Sequence, residues 1–336
     1  MDKLEKDWLE TQKHNRDCSS ATQTVRRITF GLSARQLREL GYRNLRADRI
    51  AQEHLHALVA KWKNDGIHSA TIRSRVAHLR WACMKIGHSA IAGVTANDLG
   101  IEQRSPRQAS NVTVEALERV HDRYTQFSLC LQAEFGLKRQ ESIKFRVAEA
   151  DKGNGFIVLH ASWVLGGRSR TIPIRTLEQR ALLRKLHDFC STSSLIPSHL
   201  SYSQQRKHYE NQIRAAGLHT IHGLRQLYVQ ARYYQLTGKH PPAAQHTLSS
   251  HALSYNDENK WFAQLLRSYS RHLENAPQAG LSDREALQIL TEELGYLSTS
   301  DMSFYLGLPL EQVGISAPGF EWNGPEHCDD LASDIH

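Results

Sequence analysis

The sequence predicts a mainly α-helical protein of two domains, with a small β-hairpin or three-stranded sheet inside the second. Three observations predict it. Apolar residues recur at helical spacing on both sides of a polar, basic stretch, Ile101–Asn111, which contains Pro106 and reads as a linker. The helical period is broken by the β-rich segment Gly155–Trp163, which turns at Gly166-Gly167 and returns through Ser169–Ile174. After that hairpin, helical patterning resumes at Leu177–Cys190 and continues with interruptions to about Leu306. The expected divisions are 1–105 for an N-terminal helical domain, 106–112 for the linker, 113–310 for the second domain and 311–336 for a tail.

Taken in order, Asp48–Asp65 places Ile50, His54, Leu58 and Trp62 at four-residue intervals, and Gly66 ends that helix. Ser69 can cap the next, Ala70–Ile86, in which Ile72, Val76, Leu79 and Cys83 share one face. Its other face carries Arg73, Arg75, Arg80 and Lys85, which can lie along a DNA backbone or simply be solvated. Thr95-Ala96-Asn97-Asp98 can start one more short helix. A second helical region runs from Thr113 through Arg146, and the hairpin after it has a basic tip with Arg168 and Arg170. Gly238–Glu258, rich in His, Pro and Ser, reads as an irregular insertion or mobile loop. The tail after Leu308 reads as partly extended.

Charge narrows the partner. The 336 residues carry a net +7. Residues 1–110 hold 19 Lys+Arg against 11 Asp+Glu, and residues 111–310 hold 23 against 18, while 311–336 hold 6 acids and no base. Two basic blocks can neutralise DNA phosphates and release counterions, and an acidic end would stay out of contact. Double-stranded DNA is therefore the expected partner, through Arg73, Arg75, Arg80, Lys85, Arg104, Arg107, Arg168 and Arg170. Five cysteines without a CxxC pair suggest reduced thiols in a cytosolic protein and no zinc site. The charged start of the chain is not a secretory signal, and no apolar run approaches the roughly 18 residues of a membrane span. Without GxxxxGK[ST], a GxGxxG after a strand or HExxH, the sequence offers no ATPase, Rossmann dehydrogenase or zincin motif. No metal or cofactor is expected; His219 and His222, three apart, have no third ligand placed by sequence.

Three motifs invite chemistry. One is Gly136-Leu137-Lys138-Arg139-Gln140-Glu141-Ser142, the second His222-Gly223-Leu224-Arg225, the third Leu294-Gly295-Tyr296 with Tyr305 nine residues on. Each residue has a plain structural reading: a core tyrosine, a capping histidine, an arginine on a surface carboxylate, a solvated lysine and arginine. In this order, and around a hairpin, they resemble the tyrosine recombinases of the phage-integrase class. That family carries G-L-R-x-x-E, a hairpin Lys, H-x-L-R, L-G-H or L-G-W, and a Tyr nine residues further.

The resemblance implies a tyrosine-recombinase catalytic fold preceded by a helical core-binding domain, the two closing on duplex DNA as a C-shaped clamp. It implies site-specific recombination or integration for a mobile element through a covalent 3′-phosphotyrosine, with Tyr305 as nucleophile. Arg225 would bind the phosphate with its guanidinium fork, and His222 would hydrogen-bond the phosphate or move a proton. Homodimers on half-sites, tetramers in synapse and a cytoplasmic, nucleoid-associated bacterial setting follow from the same resemblance. Three positions depart from the family pattern. Lys138 stands at the first arginine, with Arg139 beside it and preferred for that place; Leu165 replaces the hairpin lysine; and Tyr296 replaces His or Trp, with a hydroxyl that can still reach a phosphate oxygen. The alternative implied by these departures is a recombinase-fold DNA-binding or regulatory protein with reduced catalysis.

Overall fold

The computed structural model describes residues 2–15, 17–18, 20–88, 91, 93–102, 114–164, 167–218, 222–244, 279–296 and 299–308. The chain divides into two compact units, one within residues 1–105 and one within 106–317. The expected linker 106–112, most of the insertion 238–258 and the acidic tail lie outside the described residues.

The first unit is helical: α1 (Lys3–His14), α2 (Ser20–Glu39), α3 (Gln52–Asn64) and α4 (Ser69–Lys85). Helix α1 was not among the sequence expectations, because its apolar positions are embedded in charge. Asp2 caps it by accepting from the Leu4 amide at 3.0 Å, and Leu4 and Trp8, one turn apart, are both buried. Trp8 lies 5.5 Å from the Phe30 ring of α2, and Phe30 6.5 Å from Trp81 of α4. The helix expected over Asp48–Asp65 is split. A 3-10 turn, Ala47–Arg49, precedes extended Ile50 and Ala51, and His54 Nδ1 accepts from the Ala51 amide at 2.9 Å. His54 therefore acts at the helix start rather than as one more apolar-stripe residue. In α4 the four residues expected on one face are buried, joined by His78, Trp81 and Ala82, so the buried stripe is wider than the sequence suggested. His68, not Ser69, is the cap. At Thr95–Asp98 reciprocal bonds (Thr95 N to Asp98 Oδ2, 2.7 Å; Asp98 N to Thr95 Oγ1, 3.2 Å) close turns instead of the expected short helix.

In the second unit the region expected as helical from Thr113 to Arg146 is segmented. It contains α5 (Val114–Glu118), α6 (Arg123–Phe135), α7 (Arg139–Lys144) and, just beyond, α8 (Val147–Ala150). Every residue of α6 from Thr125 to Phe135 is buried, which makes it the central helix of this core. The strands β1 (Phe156–Leu159) and β2 (Arg170–Pro173) pair antiparallel from Phe156↔Pro173 to Leu159↔Arg170. They are shorter than the two segments expected, yet Ile157, Leu159 and Ile172 point into the core as alternation requires. Next come α9 (Leu177–Cys190), capped by Thr176 with the bounds read from sequence, and α10 (Tyr202–Ala215). Last are α11 (His222–Thr237), α12 (Asp283–Leu294) and α13 (Thr299–Leu306), which share a cluster of Val229, Tyr233, Leu287, Leu290, Met302 and Leu306. The protein is thus mostly helical with a small antiparallel hairpin. No described helix is long and apolar enough to cross a membrane.

Candidate active site

The site is assembled where three helices end. Helix α6 stops at Gly136, whose φ of +61° is the left-handed conformation that glycine adopts without penalty. A Cβ there would lie 2.5 Å from the Tyr228 ring and 2.7 Å from Leu294, so only glycine lets α11 and α12 approach this closely. Helix α12 stops the same way at Gly295, φ +69°, where a Cβ would meet the Arg170 guanidinium at 3.0 Å. The two glycines of the sequence motifs are therefore packing requirements of the site.

Arg225, one turn into α11 and fully buried, joins these ends. Its Nη1 donates to the Gly136 carbonyl and its Nη2 to the Leu294 carbonyl at 2.8 Å. These are helix-terminal carbonyls that lack an intrahelical donor, and a cation there is favourable. Tyr296, one residue past Gly295, is fixed by its amide bonding to Thr291 O at 2.9 Å. Its ring lies 5.0 Å from the Arg225 guanidinium and 4.8 Å from Lys138 Nζ, two cation–π contacts. Its hydroxyl is 2.8 Å from the Tyr305 hydroxyl. Tyr305 comes from α13 and is buried, 7% exposed, within the apolar cluster that α11, α12 and α13 share.

Four of the residues singled out by sequence thus come together: Lys138, Arg225, Tyr296 and Tyr305. Arg139 does not join them. It stands first in α7, and its Nη1 pairs with Glu210 of α10 at 3.1 Å, while the N-cap residue, Lys138, lies against the Tyr296 ring instead. This reverses the preference for Arg139. The backbone of His222 opens α11, while its side chain lies outside the described residues, as do Leu165, Arg104 and Arg107.

A second correction concerns the hairpin. Arg168 is exposed. Arg170 is not: its fork donates to both oxygens of buried Glu141 at 2.7 Å each, and its Nε donates to Glu293 O at 3.0 Å. A guanidinium held this way anchors β2 to α7 and α12. Glu141 also accepts from the Lys138 amide at 2.8 Å. Burial pushes the Glu141 carboxyl up, but Arg170, Lys138 and Arg225 outweigh it and hold it at about 2. Glu293 forms a neighbouring hub, accepting from Arg175 at 2.6 Å, from the Tyr228 hydroxyl and from Arg232 at 3.4 Å. Arg225 titrates above its ordinary range: burial opposes its charge, and the Tyr296 and Tyr305 phenols and Glu141 overcome that effect. Burial raises the Tyr296 phenol well above its usual range, with Arg225 only partly offsetting it.

In the first unit, the arginines expected to line DNA on α4 are half-buried. Arg73 Nη2 reaches Ile101 O at 3.4 Å, and Arg75 lies 5.2 Å from the Trp62 ring. Burial lowers the pKa of Arg73, Arg75 and Arg80. Lys85 pairs with Asp17 at 3.0 Å. Exposed cations of the first unit that the sequence reading did not single out include Arg27, Arg35 and Arg38, which fall on one side of α2. Their eight- and three-residue separations were the available signal.

Residues 1–92 match the family described as phage integrase, N-terminal. No curated protein matches the chain by sequence. Among solved structures, it is similar to a lambda integrase tetramer bound to a Holliday junction (16% identity, covering 82% of this chain and 77% of that one, TM-score 0.48). It is also similar to XerA recombinase (12% identity, covering 93% and 95%, TM-score 0.35). A third is the integrase from mycobacterium phage Brujita (16% identity, covering 85% and 97%, TM-score 0.33).

Proposed function

We propose that this chain, whose first 92 residues belong to the phage integrase N-terminal domain family, is a site-specific DNA recombinase that cuts through Tyr305. The observation that carries the reading is the convergence of Tyr305, Tyr296, Arg225 and Lys138 at the ends of α6, α12 and α13. Motifs more than 150 residues apart in sequence meet around the Tyr296 ring, whose hydroxyl contacts that of Tyr305.

The chemistry follows from that hydroxyl. Tyr305 Oη bonds to phosphorus while the bond from phosphorus to the 5′ oxygen breaks; the phenol loses its proton and the departing oxygen gains one. The phosphodiester becomes a phosphotyrosine, and attack by the 5′ hydroxyl of another strand reverses the exchange without ATP. A free phenol has a pKa near roughly 10, and the five-coordinate phosphate gains charge, so preorganised cations are required. Lys138 and Arg225 are the cations beside the tyrosine pair, with His222 the further candidate. The exposed arginines Arg27, Arg35 and Arg38, with Arg168, are the phosphate contacts we assign, on duplex DNA, with dimers on half-sites and tetramers in synapse.

A second reading has its own support. Arg225 commits two donors to backbone carbonyls and Arg170 is consumed by Glu141, so the site is less open to phosphate than the motif implies. A DNA-binding relative with reduced cleavage fits that arrangement. The two readings separate on nicked duplexes tiled across the DNA flanking the protein's own gene. A denaturation-resistant protein–DNA adduct that disappears in Tyr305→Phe supports the enzyme; salt-sensitive binding with no adduct on any duplex supports the binder.

A further inference from the structure

Resting on the recombinase reading, we propose that Tyr296 is a positioning residue for Tyr305, its hydroxyl holding the Tyr305 hydroxyl in the orientation from which it attacks. The position would then act on the nucleophile itself, in place of the phosphate contact implied by the resemblance.

The geometry supports contact through oxygen atoms. The two hydroxyls are 2.8 Å apart, the usual O–H···O separation, whereas the rings are 6.1 Å apart and inclined by 56°, with no parallel stacking. A phenol O–H both donates and accepts and lies near the ring plane in either of two orientations, so a fixed partner selects which one it takes. Tyr296 is such a partner. Its backbone is set by the left-handed Gly295 and by the bond to Thr291, and its ring is held by Lys138 and Arg225. Tyr305 is held from the backbone side, where its carbonyl accepts from Gln226 Nε2 at 3.5 Å. As Tyr305 Oη loses its proton and bonds to phosphorus, a phenol already beside it can keep donating to that oxygen without reorganisation.

The test uses the full chain, the tiled nicked duplexes and three variants. Tyr296→Phe keeps the ring beside both cations and removes only the hydroxyl. It is expected to slow adduct formation at saturating DNA by about tenfold, the loss of one hydrogen bond, with DNA affinity unchanged. Tyr296→His restores a hydrogen-bonding atom on a smaller ring and is expected to recover part of that rate. A wild-type rate in Tyr296→Phe with a slow Tyr296→His would make the ring's packing the active element and overturn the proposal. So would an adduct that survives Tyr305→Phe and vanishes only when Tyr296→Phe is added. A DNA-free readout keeps the two claims apart: in protein labelled at tyrosine Cζ, the Tyr305 carbon signal is expected to move in Tyr296→Phe. An unmoved signal overturns the hydroxyl pair even if adducts form. Absence of any wild-type adduct, with a signal that does move, overturns the recombinase reading and with it the positioning role, leaving only a structural pair.

Discussion

Glu141 and Glu134 show how differently two buried carboxylates can be used seven residues apart. Glu141 is held at about 2 by Arg170 against the effect of burial. Its folded pKa lies below the unfolded value of roughly 4.3, so its contribution is present above that value and is lost as pH falls toward 2. Glu141→Gln leaves Arg170 buried without its counter-charge, and chemical denaturation at pH 7 should show a loss of about 3–5 kcal/mol. Glu134 has the opposite sign. Burial, with the charge of Glu178 adding to it, raises its carboxyl to about 8, and its Oε1 makes no hydrogen bond among the described residues. Its contribution is full below roughly 4.3 and falls as pH rises to about 8. Glu134→Gln should therefore raise the Tm at pH 8 and leave it nearly unchanged at pH 4.5; an equal effect at both would contradict the assignment. Neither environment could be read from the sequence. The motif named Glu141, but the Arg170 partner lies 29 positions away on a hairpin whose register fixes the contact, and Arg170 looked like a turn-tip cation.

At the scale of elements, legibility followed the strength of the period and of the caps. Helix α9 has a Thr176 cap box and a buried row of Leu182, Leu183 and Leu186, and its bounds were readable. The hairpin was placed because β-branched residues and a Gly-Gly turn stand out against helical surroundings. Helix α1 was not found: its inward side is Leu4 and Trp8, too few positions for a periodic signal, yet both are buried against α2 and α4. Trp8 is fully buried and touches the Phe30–Trp81 pair, so Trp8→Ala should cost about 3–5 kcal/mol by urea unfolding. A loss below 1 kcal/mol would mean that α1 contributes little to this unit. The α4 arginines are more covered than the sequence suggested for a related reason. Sequence separates the two sides of a helix but does not say how much of the second side is also covered, and α4 buries His78, Trp81 and Ala82 beyond its expected row.

For the whole molecule, the distribution of charge was legible and its addresses were not. The net charge is +7 in two basic blocks, but three exposed arginines of the first unit sit on α2, and Arg43, Arg46 and Arg49 are exposed beyond its end. If those on α2 meet phosphates, the Arg27→Ala, Arg35→Ala, Arg38→Ala triple variant should weaken binding to duplexes of any sequence. It should also reduce the slope of log K against log salt by about 2–3. Arg73→Ala should instead lower stability with little change in that slope; the reverse pattern would return the contact surface to α4. The site was legible as four of its members and their order. What brings them together was not: Gly136 and Gly295 end two helices so that Arg225 can span both, and Lys138 rather than Arg139 turns toward the tyrosines.

Cleavage by the proposed route leaves Tyr305 bonded to DNA phosphate. The most direct measurement is to trap the adduct on a nicked duplex, digest both protein and DNA, and find by mass spectrometry which tyrosine carries the nucleotide. The modification is expected on the peptide containing Tyr305, with Tyr296 unmodified. A nucleotide on any other residue, or trapped complexes that contain no covalently modified peptide, would contradict it.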